Sequence, residues 1–330
     1  MALKTEAQQA HGGSRRDVYA DVTNRMIAAL EAGTVPWHKP WRPGAGRPRS
    51  MSTGQPYRGV NVLLLGLTAG ERGYASPWWG TFRQVQDRGG NVRKGENREN
   101  GRGATQVVLW RDVESKREID PDTGEPKRYG YYTSFSVFNA EQCEGLGAEF
   151  YTQPRQPSEL EVIAAAEEIT AGYLAAPGAP TLEHDGGNRA YYVPAQDAIH
   201  LPVPGAFDSG PHYYATTFHE LAHSTGHATR LNRPGITDKG SEFGCGDYSH
   251  EELVAEMGAA MLAAQAGTDE NVFDNSASYV ASWLHRLEDD KKLVIPAARE
   301  AMAAADRVLE PSREAQVEPD VDRSADIEAA

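Results

Sequence analysis

The sequence predicts an α+β chain, with an N-terminal half of mixed helices and a small sheet and a mainly helical second half with a short antiparallel sheet. Three observations predict this. Apolar residues recur with helical period at 17–31 and 57–67, then give way to two β-rich runs at 104–113 and 129–138. Helices followed by a small sheet are the mark of an α+β half. Two further helical stretches, 212–225 and 248–262, carry clustered histidines and glutamates. The charge also changes along the chain. Asp17–Arg111 holds 14 Lys/Arg against 7 Asp/Glu, whereas Tyr151 onward holds 12 against 30. A basic half can meet a polyanion and an acidic half repels one.

A chain of 330 residues is long enough for about two domains. The expected division is a disordered tail 1–16, a first domain 17–150, a polar proline-containing linker 151–158, a second domain 159–310 and a disordered acidic tail 311–330. No run of 18 apolar residues occurs, so no transmembrane helix is predicted, and Met1–Arg16 lacks the apolar core of a signal peptide. Cys143 and Cys245 are isolated thiols without C-x-x-C spacing, which fits a reducing cytoplasm better than a disulfide scaffold. There is no Walker-type loop, no G-x-G-x-x-G and no internal repeat.

In the first half, Val18, Val22, Met26, Ile27 and Leu30 form one face of a helix that ends at Gly33. Next comes Val-Pro-Trp-His-Lys-Pro-Trp-Arg-Pro at 35–43, where tryptophans alternate with cations and prolines. A second helix opens at Tyr57–Asn61 and a short one ends at Gly89–Gly90. Val92–Gly95 reads as a basic turn or the start of a strand. Ala104–Val113 and Tyr129–Phe138 are the two strands, with Glu114–Arg128 as a charged hairpin loop. Cations attract phosphates without regard to sequence, and aromatic rings are platforms for unpaired bases. Trp37, Lys39, Trp41, Arg42, Tyr57, Arg58, Arg93 and Lys94 are therefore the expected contacts for single-stranded DNA.

In the second half, Glu159–Leu174 is an amphipathic helix and residues 189–202 are two short strands around a turn, a possible edge for an extended peptide. Then comes His219-Glu220-Leu221-Ala222-His223, an H-E-x-x-H motif on a helix. Residues four apart share a helix face, so His219 and His223 can hold one metal ion, with Glu220 placed to take a proton from a water. A zinc site of this kind needs a third protein ligand. Position 229 is Thr229, so a third histidine at that spacing is absent, and His227 lies just past Gly226. The helix from Tyr248 to Leu262 offers Glu251, Glu252 and Glu256, and Cys245 stands in the loop before it. Glu252 is read as the third ligand. Glu256, on the same face, is read as the acceptor for a ligating histidine N–H. Tyr279, Tyr248 and His250 are the expected donors to a tetrahedral oxyanion. Ser276–Leu287 and Leu293–Leu309 are the last two helices.

The blocks at 213–227, 251–260 and 277–284 resemble the zincin-like domain of ArdC-type antirestriction proteins, which occur on conjugative plasmids and phages. The glutamate helix is also similar to that of gluzincins, which supports the register chosen for Glu252. The N-terminal motifs Pro36-Trp37-x-Lys39-Pro40-Trp41, Thr53-Gly54-x-x-Tyr57-Arg58-Gly59-Val60-Asn61, Thr81-Phe82-x-Gln84 and Val92-Arg93-Lys94-Gly95-Glu96 resemble the N-terminal domain of the same family, a domain also found in a plasmid-encoded primase. The resemblance implies single-stranded-DNA binding by the first half, one Zn2+ per chain in a metallopeptidase fold, and protection of an incoming genome against a host restriction-system protein. Two rival expectations stand beside it: a single-strand-binding coat protein with a structural or vestigial zinc site, and an accessory to DNA replication.

Overall fold

The computed structural model describes residues 17–316 apart from 43, 97–102, 122, 152–154, 156, 238–245, 269–271 and 274–275. The expected tail 1–16, residues 317–330 of the expected acidic tail 311–330, and Cys245 lie outside the described residues.

Helix α1 (Val18–Glu31) starts where Asp17 accepts the N–H groups of Tyr19 and Ala20, and it buries Val22, Met26, Ile27 and Leu30. Strand β1 (Arg49–Ser50), helix α2 (Val60–Arg72), strand β2 (Trp78–Gly80), helix α3 (Phe82–Asp87) and strand β3 (Asn91–Val92) follow. Thr81 and Gln84 form a reciprocal cap on α3. Strands β4 (Thr105–Ile119) and β5 (Pro126–Asn139) form a long antiparallel ribbon in a four-stranded sheet of order β1-β2-β5-β4, and β6 (Cys143–Glu144) pairs with β3. The expected loop at Glu114–Arg128 is mostly strand. Its charges pair across the ribbon, Arg128 with Asp112 at 3.7 Å and Glu114 at 3.6 Å, and Lys127 with Glu118 at 3.7 Å. Charge there marks a solvated ribbon held by cross-strand pairs rather than a loop.

In the second half, helix α4 (Glu159–Ala175) is capped by Ser158 and Glu161. Strands β7 (Thr181–His184), β8 (Tyr191–Val193) and β9 (Ala198–Leu201) form a sheet of order β7-β9-β8, in which β7 runs parallel to β9 and β8 antiparallel. Helices α5 (Gly210–Ser224), α6 (Pro234–Thr237), α7 (Gly246–Ala266), α8 (Ala277–Asp289) and α9 (Val294–Gln316) complete the chain. Helix α9 runs through Pro311 to Gln316, past the expected start of the acidic tail at 311.

One apolar cluster joins the two halves. It takes Val22, Met26, Trp37 and Leu63 from the first and Phe218, Leu253, Trp283 and Met302 from the second. Trp37 meets Trp283 edge to face, with centroids 5.5 Å apart, and His38 stacks on Phe273 at 4.9 Å. The Thr23 hydroxyl donates to the Lys291 carbonyl at 2.7 Å, and Arg47 pairs with Asp306 at 2.7 Å. The tryptophan-rich stretch at 35–42 is thus the seam between the halves.

Candidate metal centre

The site is built where α5 crosses α7. Helix α5 begins after Ser209, whose hydroxyl accepts the His212 N–H, and Pro211 occupies its first turn. Phe218, Leu221 and Ala222 turn inward and anchor it. Its partner α7 comes close because position 258 is glycine. A Cβ there would stand 3.1 Å from the Ala222 Cβ, so a larger residue would push the helices apart. This crossing brings Glu252 of α7 to the histidine face of α5.

The donor atoms of His219, His223 and Glu252 lie within 4.8 Å of one another. The two Nε2 atoms are 3.0 Å apart, and the Glu252 carboxylate is 3.8 Å from His219 Nε2 and 3.5 Å from His223 Nε2. Two imidazoles and one carboxylate are the ligand chemistry of a zincin site with a fourth position open. The three residues therefore fit a divalent cation. His227 turns away and bonds Thr229 at 2.9 Å.

The acceptor on the His223 ring is Glu251, which corrects the expectation of Glu256. Glu251 Oε1 lies 3.1 Å from His223 Nδ1, which leaves Nε2 to face the site. Two successive helix positions point about 100° apart. Glu251 thus reaches the buried side of the His223 ring while Glu252 reaches the open side. Arg233 holds Glu251 with bonds of 2.8 Å from Nε and 2.7 Å from Nη2. It also donates to Thr225 Oγ1 at 2.7 Å and to the Ala222 carbonyl at 2.8 Å. Sequence reasoning missed Arg233. The available signal was an arginine in the turn between two metal-site helices of an otherwise acidic half.

Glu256 sits one turn beyond Glu252 and bonds the Tyr279 hydroxyl, whose ionisation burial and then the Glu256 charge push upward. That hydroxyl also stands 3.4 Å from Trp37 Nε1 and 3.4 Å from His38 Nε2. Tyr279 is thus engaged at the seam between the halves. His250 is bound to Glu300 at 3.0 Å. The side chain of Tyr248 lies outside the described residues. Of the expected oxyanion donors, Tyr279 and His250 are thus committed to other partners.

Glu220 is buried, and its carboxyl is pushed up to about 7, chiefly by that burial. The Tyr192 N–H of strand β8 donates to it. Strand β8, at the edge of its sheet, thus lies against Glu220. Burial and the neighbouring His223 push the His219 imidazole down. Burial alone would also lower His223, but the Glu251 bond and charge outweigh it and raise the pair's proton affinity. A second arginine, Arg230, ties the strands to the metal helix. It donates to Asp197 and Tyr192 of the hairpin, to the Gly178 carbonyl at 2.7 Å, and to the Ser224 carbonyl at 2.8 Å.

In the first half, Trp37 is 0% exposed and Trp41 4% exposed, so neither ring is open to a base. This corrects both as stacking platforms: each packs into the shared core instead. Tyr57 is half-buried against the same core. Lys39 is half-buried, while Arg42, Arg58, Arg93 and Lys94 are exposed. Arg58 pairs with Asp306 at 2.6 Å, and Arg93 donates to the Glu141 carbonyl. Cys143 is buried, and that burial pushes its thiol up to about 11.

A histidine pair and a glutamate from the next long helix, with a buried glutamate beside them, define a zincin-like metallopeptidase domain. Residues 168–300 match the zincin-like metallopeptidase family, and residues 16–138 match the N-terminal domain of anti-restriction factor ArdC. The chain belongs to the ArdC antirestriction family. It superposes on the metal-free crystal structure of the antirestriction ArdC protein from plasmid R388 with a TM-score of 0.69 and 40% identity, covering 91% of this chain and 99% of that one. The Mn(II)-bound structure of that protein gives 0.67 at 39% identity, covering 91% and 100%. The uncharacterised protein y4eC of Sinorhizobium fredii (strain NBRC 101917 / NGR234) is 35% identical over 299 residues, covering 88% of this chain and 91% of that protein. A DNA primase TraC of Escherichia coli is 35% identical over 313 residues, covering 89% of this chain. This chain spans only 27% of that primase. Among the described residues, no helix is long and apolar enough to cross a membrane.

Proposed function

We propose that this chain is a metal-dependent antirestriction factor that binds single-stranded DNA of an incoming genome through its first half and cleaves a protein of the host restriction system with its second. The observation that carries the peptidase reading is the convergence of His219, His223 and Glu252 beside the buried Glu220. The metal is read as one Zn2+ per chain. A zinc ion held by these residues would polarise a scissile carbonyl and lower the pKa of a water toward neutrality. Glu220 would accept that water's proton on its carboxylate and deliver it to the leaving amine. Glu251 with Arg233 fixes His223.

The test is metal content by mass spectrometry on wild type, His219→Ala and Glu252→Ala, each purified without added metal, followed by antirestriction assays of Glu220→Gln. About one zinc in wild type, lost in both ligand variants, together with loss of protection in Glu220→Gln, supports the reading. Retained protection in a folded, zinc-loaded Glu220→Gln overturns hydrolysis as the activity.

A second reading is favoured by the match to part of a much longer primase: an accessory to DNA replication, with a structural metal site. Under it, Glu220→Gln leaves every activity intact, and single-strand binding is the whole contribution of the chain.

A further inference from the structure

The β4–β5 ribbon has two chemically different faces, because side chains alternate across it. Its base belongs to the core. Val107, Val108 and Val137 are buried, and Asn61 of α2 clamps the Val108 backbone with two 2.7 Å hydrogen bonds. Strand β2 pairs with β5 only at Phe138 and Asn139, so beyond the base the ribbon is two-stranded.

One face carries Trp110, 51% exposed, and pairs its own charges. Trp110 lies across Gly130, where a Cβ would come within 1.8 Å of its ring, and meets Tyr132 at 4.8 Å. On the same face, Asp112 and Glu114 are both paired with Arg128. The opposite face is set by the pairs Leu109↔Thr133, Arg111↔Tyr131 and Val113↔Tyr129. Leu109 is 41% exposed, Val113 45%, Tyr129 41% and Tyr131 36%. These three pairs contain no acid. Among the described residues Arg111 has no ion-pair partner, and Lys127 sits 5.6 Å over the Tyr129 ring. Glu118 at its far end is bound by Lys127 and the Tyr129 hydroxyl.

We propose that this face, with Tyr129, Tyr131, Arg111 and Lys127 at its centre, is where a single strand of nucleic acid lies. The proposal rests on the single-strand-binding reading above and names the surface that does it. Tyr129 and Tyr131 stand about 7 Å apart on one strand, so an extended strand can stack successive bases on them. Arg111 and Lys127 then face phosphates. The chain carries a net charge of −14, and a polyanion needs a face from which acids are missing. The tryptophans of the 35–42 stretch, Trp37 and Trp41, are buried, whereas Tyr129 is 41% and Tyr131 36% exposed.

The test is fluorescence anisotropy of a labelled thirty-residue oligothymidylate with the full chain, comparing wild type with Tyr129→Leu, Tyr131→Leu and Arg111→Glu. Leucine keeps an apolar strand residue, and thermal unfolding checks that each variant is folded. Each lost ring is expected to weaken binding about tenfold, and Arg111→Glu to weaken it and flatten its salt dependence. Wild-type affinity in a folded double-tyrosine variant overturns the proposal while leaving single-strand binding in place. A wild type that does not bind the oligonucleotide overturns both. Ultraviolet cross-linking of a bromodeoxyuridine oligonucleotide to wild type gives an independent reading. Adducts on 129–131 support the ribbon face, and adducts confined to other segments overturn it. A β-strand peptide that competes with the oligonucleotide for the outer edge of β4, without adducts on the tyrosines, would assign the face to a protein partner instead.

Discussion

Arg233 grips Glu251 with two nearly parallel hydrogen bonds, and both side chains are buried. The pair stands directly behind the His223 ring, so it is a positioning device for the metal site. Removing the guanidinium leaves a buried carboxylate without its partner, which typically costs ~3–5 kcal/mol. Loss of such an outer partner usually weakens metal binding by about 10- to 100-fold. Arg233→Ala is expected to show both effects, in urea unfolding and in a competitive zinc titration. Arg233→Lys is expected to rescue little, because one ammonium cannot make the paired contacts. Unchanged metal affinity in a folded Arg233→Ala would separate the pair from the site.

Glu251 and Glu252 are adjacent in sequence and are predicted to behave oppositely. Glu252→Ala should lose the metal and keep its fold, because Glu252 is half-exposed and its contacts are to the two histidines. Glu251→Gln should keep the metal with weaker affinity and lose stability, because it unbalances the buried contact with Arg233. Metal content and thermal unfolding of the two variants check this. A Glu251→Gln protein that loses all metal while Glu252→Ala retains it would reverse the two roles.

These roles show where sequence reasoning reaches and where it stops. The histidine spacing is legible because helical period fixes which residues share a face. The choice among Glu251, Glu252 and Glu256 depends on how α7 is rotated against α5, and that is set by the close approach at Ala222 and Gly258, a tertiary contact. Arg230 and Arg233 stand out in the sequence only by their place after α5 in an acidic half, because a surface arginine and a buried one look alike in a sequence. The same ambiguity misassigned Trp37 and Trp41. Alternation with Lys39 and Arg42 suggested an exposed, basic aromatic stretch, whereas the rings fill the seam between the halves and the cations remain at its rim. The ribbon at 105–139 was half-legible. Its apolar base reads as strand, but its charged outer part needs a cross-strand partner before it stops reading as loop.

Trp37 gives a prediction that separates folding from recognition. Truncating a fully buried tryptophan usually costs about 3–5 kcal/mol. Trp37→Ala is therefore expected to lower the unfolding midpoint and to weaken the packing on Trp283 and the Tyr279 contact. Its affinity for single strands, measured per folded molecule, should stay at the wild-type value. A folded Trp37→Ala that binds oligonucleotide ten times more weakly would return the tryptophan to the binding surface.

The hairpin beside the metal site makes a prediction in pH. Asp197 adopts a left-handed backbone at φ 50° and presents its carboxylate to Arg230, which is 2% exposed. Burial pushes the Asp197 carboxyl up, the hydrogen bonds from Arg230 and Tyr192 pull it further down, and the net position is below the ordinary value. A carboxyl with a depressed folded-state pKa contributes stability above its unfolded pKa, and that contribution disappears as pH falls through the folded value. Asp197→Asn is therefore expected to cost about 2–3 kcal/mol at neutral pH, measured by urea unfolding. The difference from wild type should shrink as pH drops below the ordinary aspartate range. Because Arg230 also holds the Ser224 carbonyl at the end of α5, the variant should loosen strand β8 against Glu220 as well. Hydrogen exchange at the Tyr192 amide reports that directly. Faster exchange at neutral pH is the expected result, and an unchanged rate would show that the strand is held on Glu220 by something other than the Arg230–Asp197 tie.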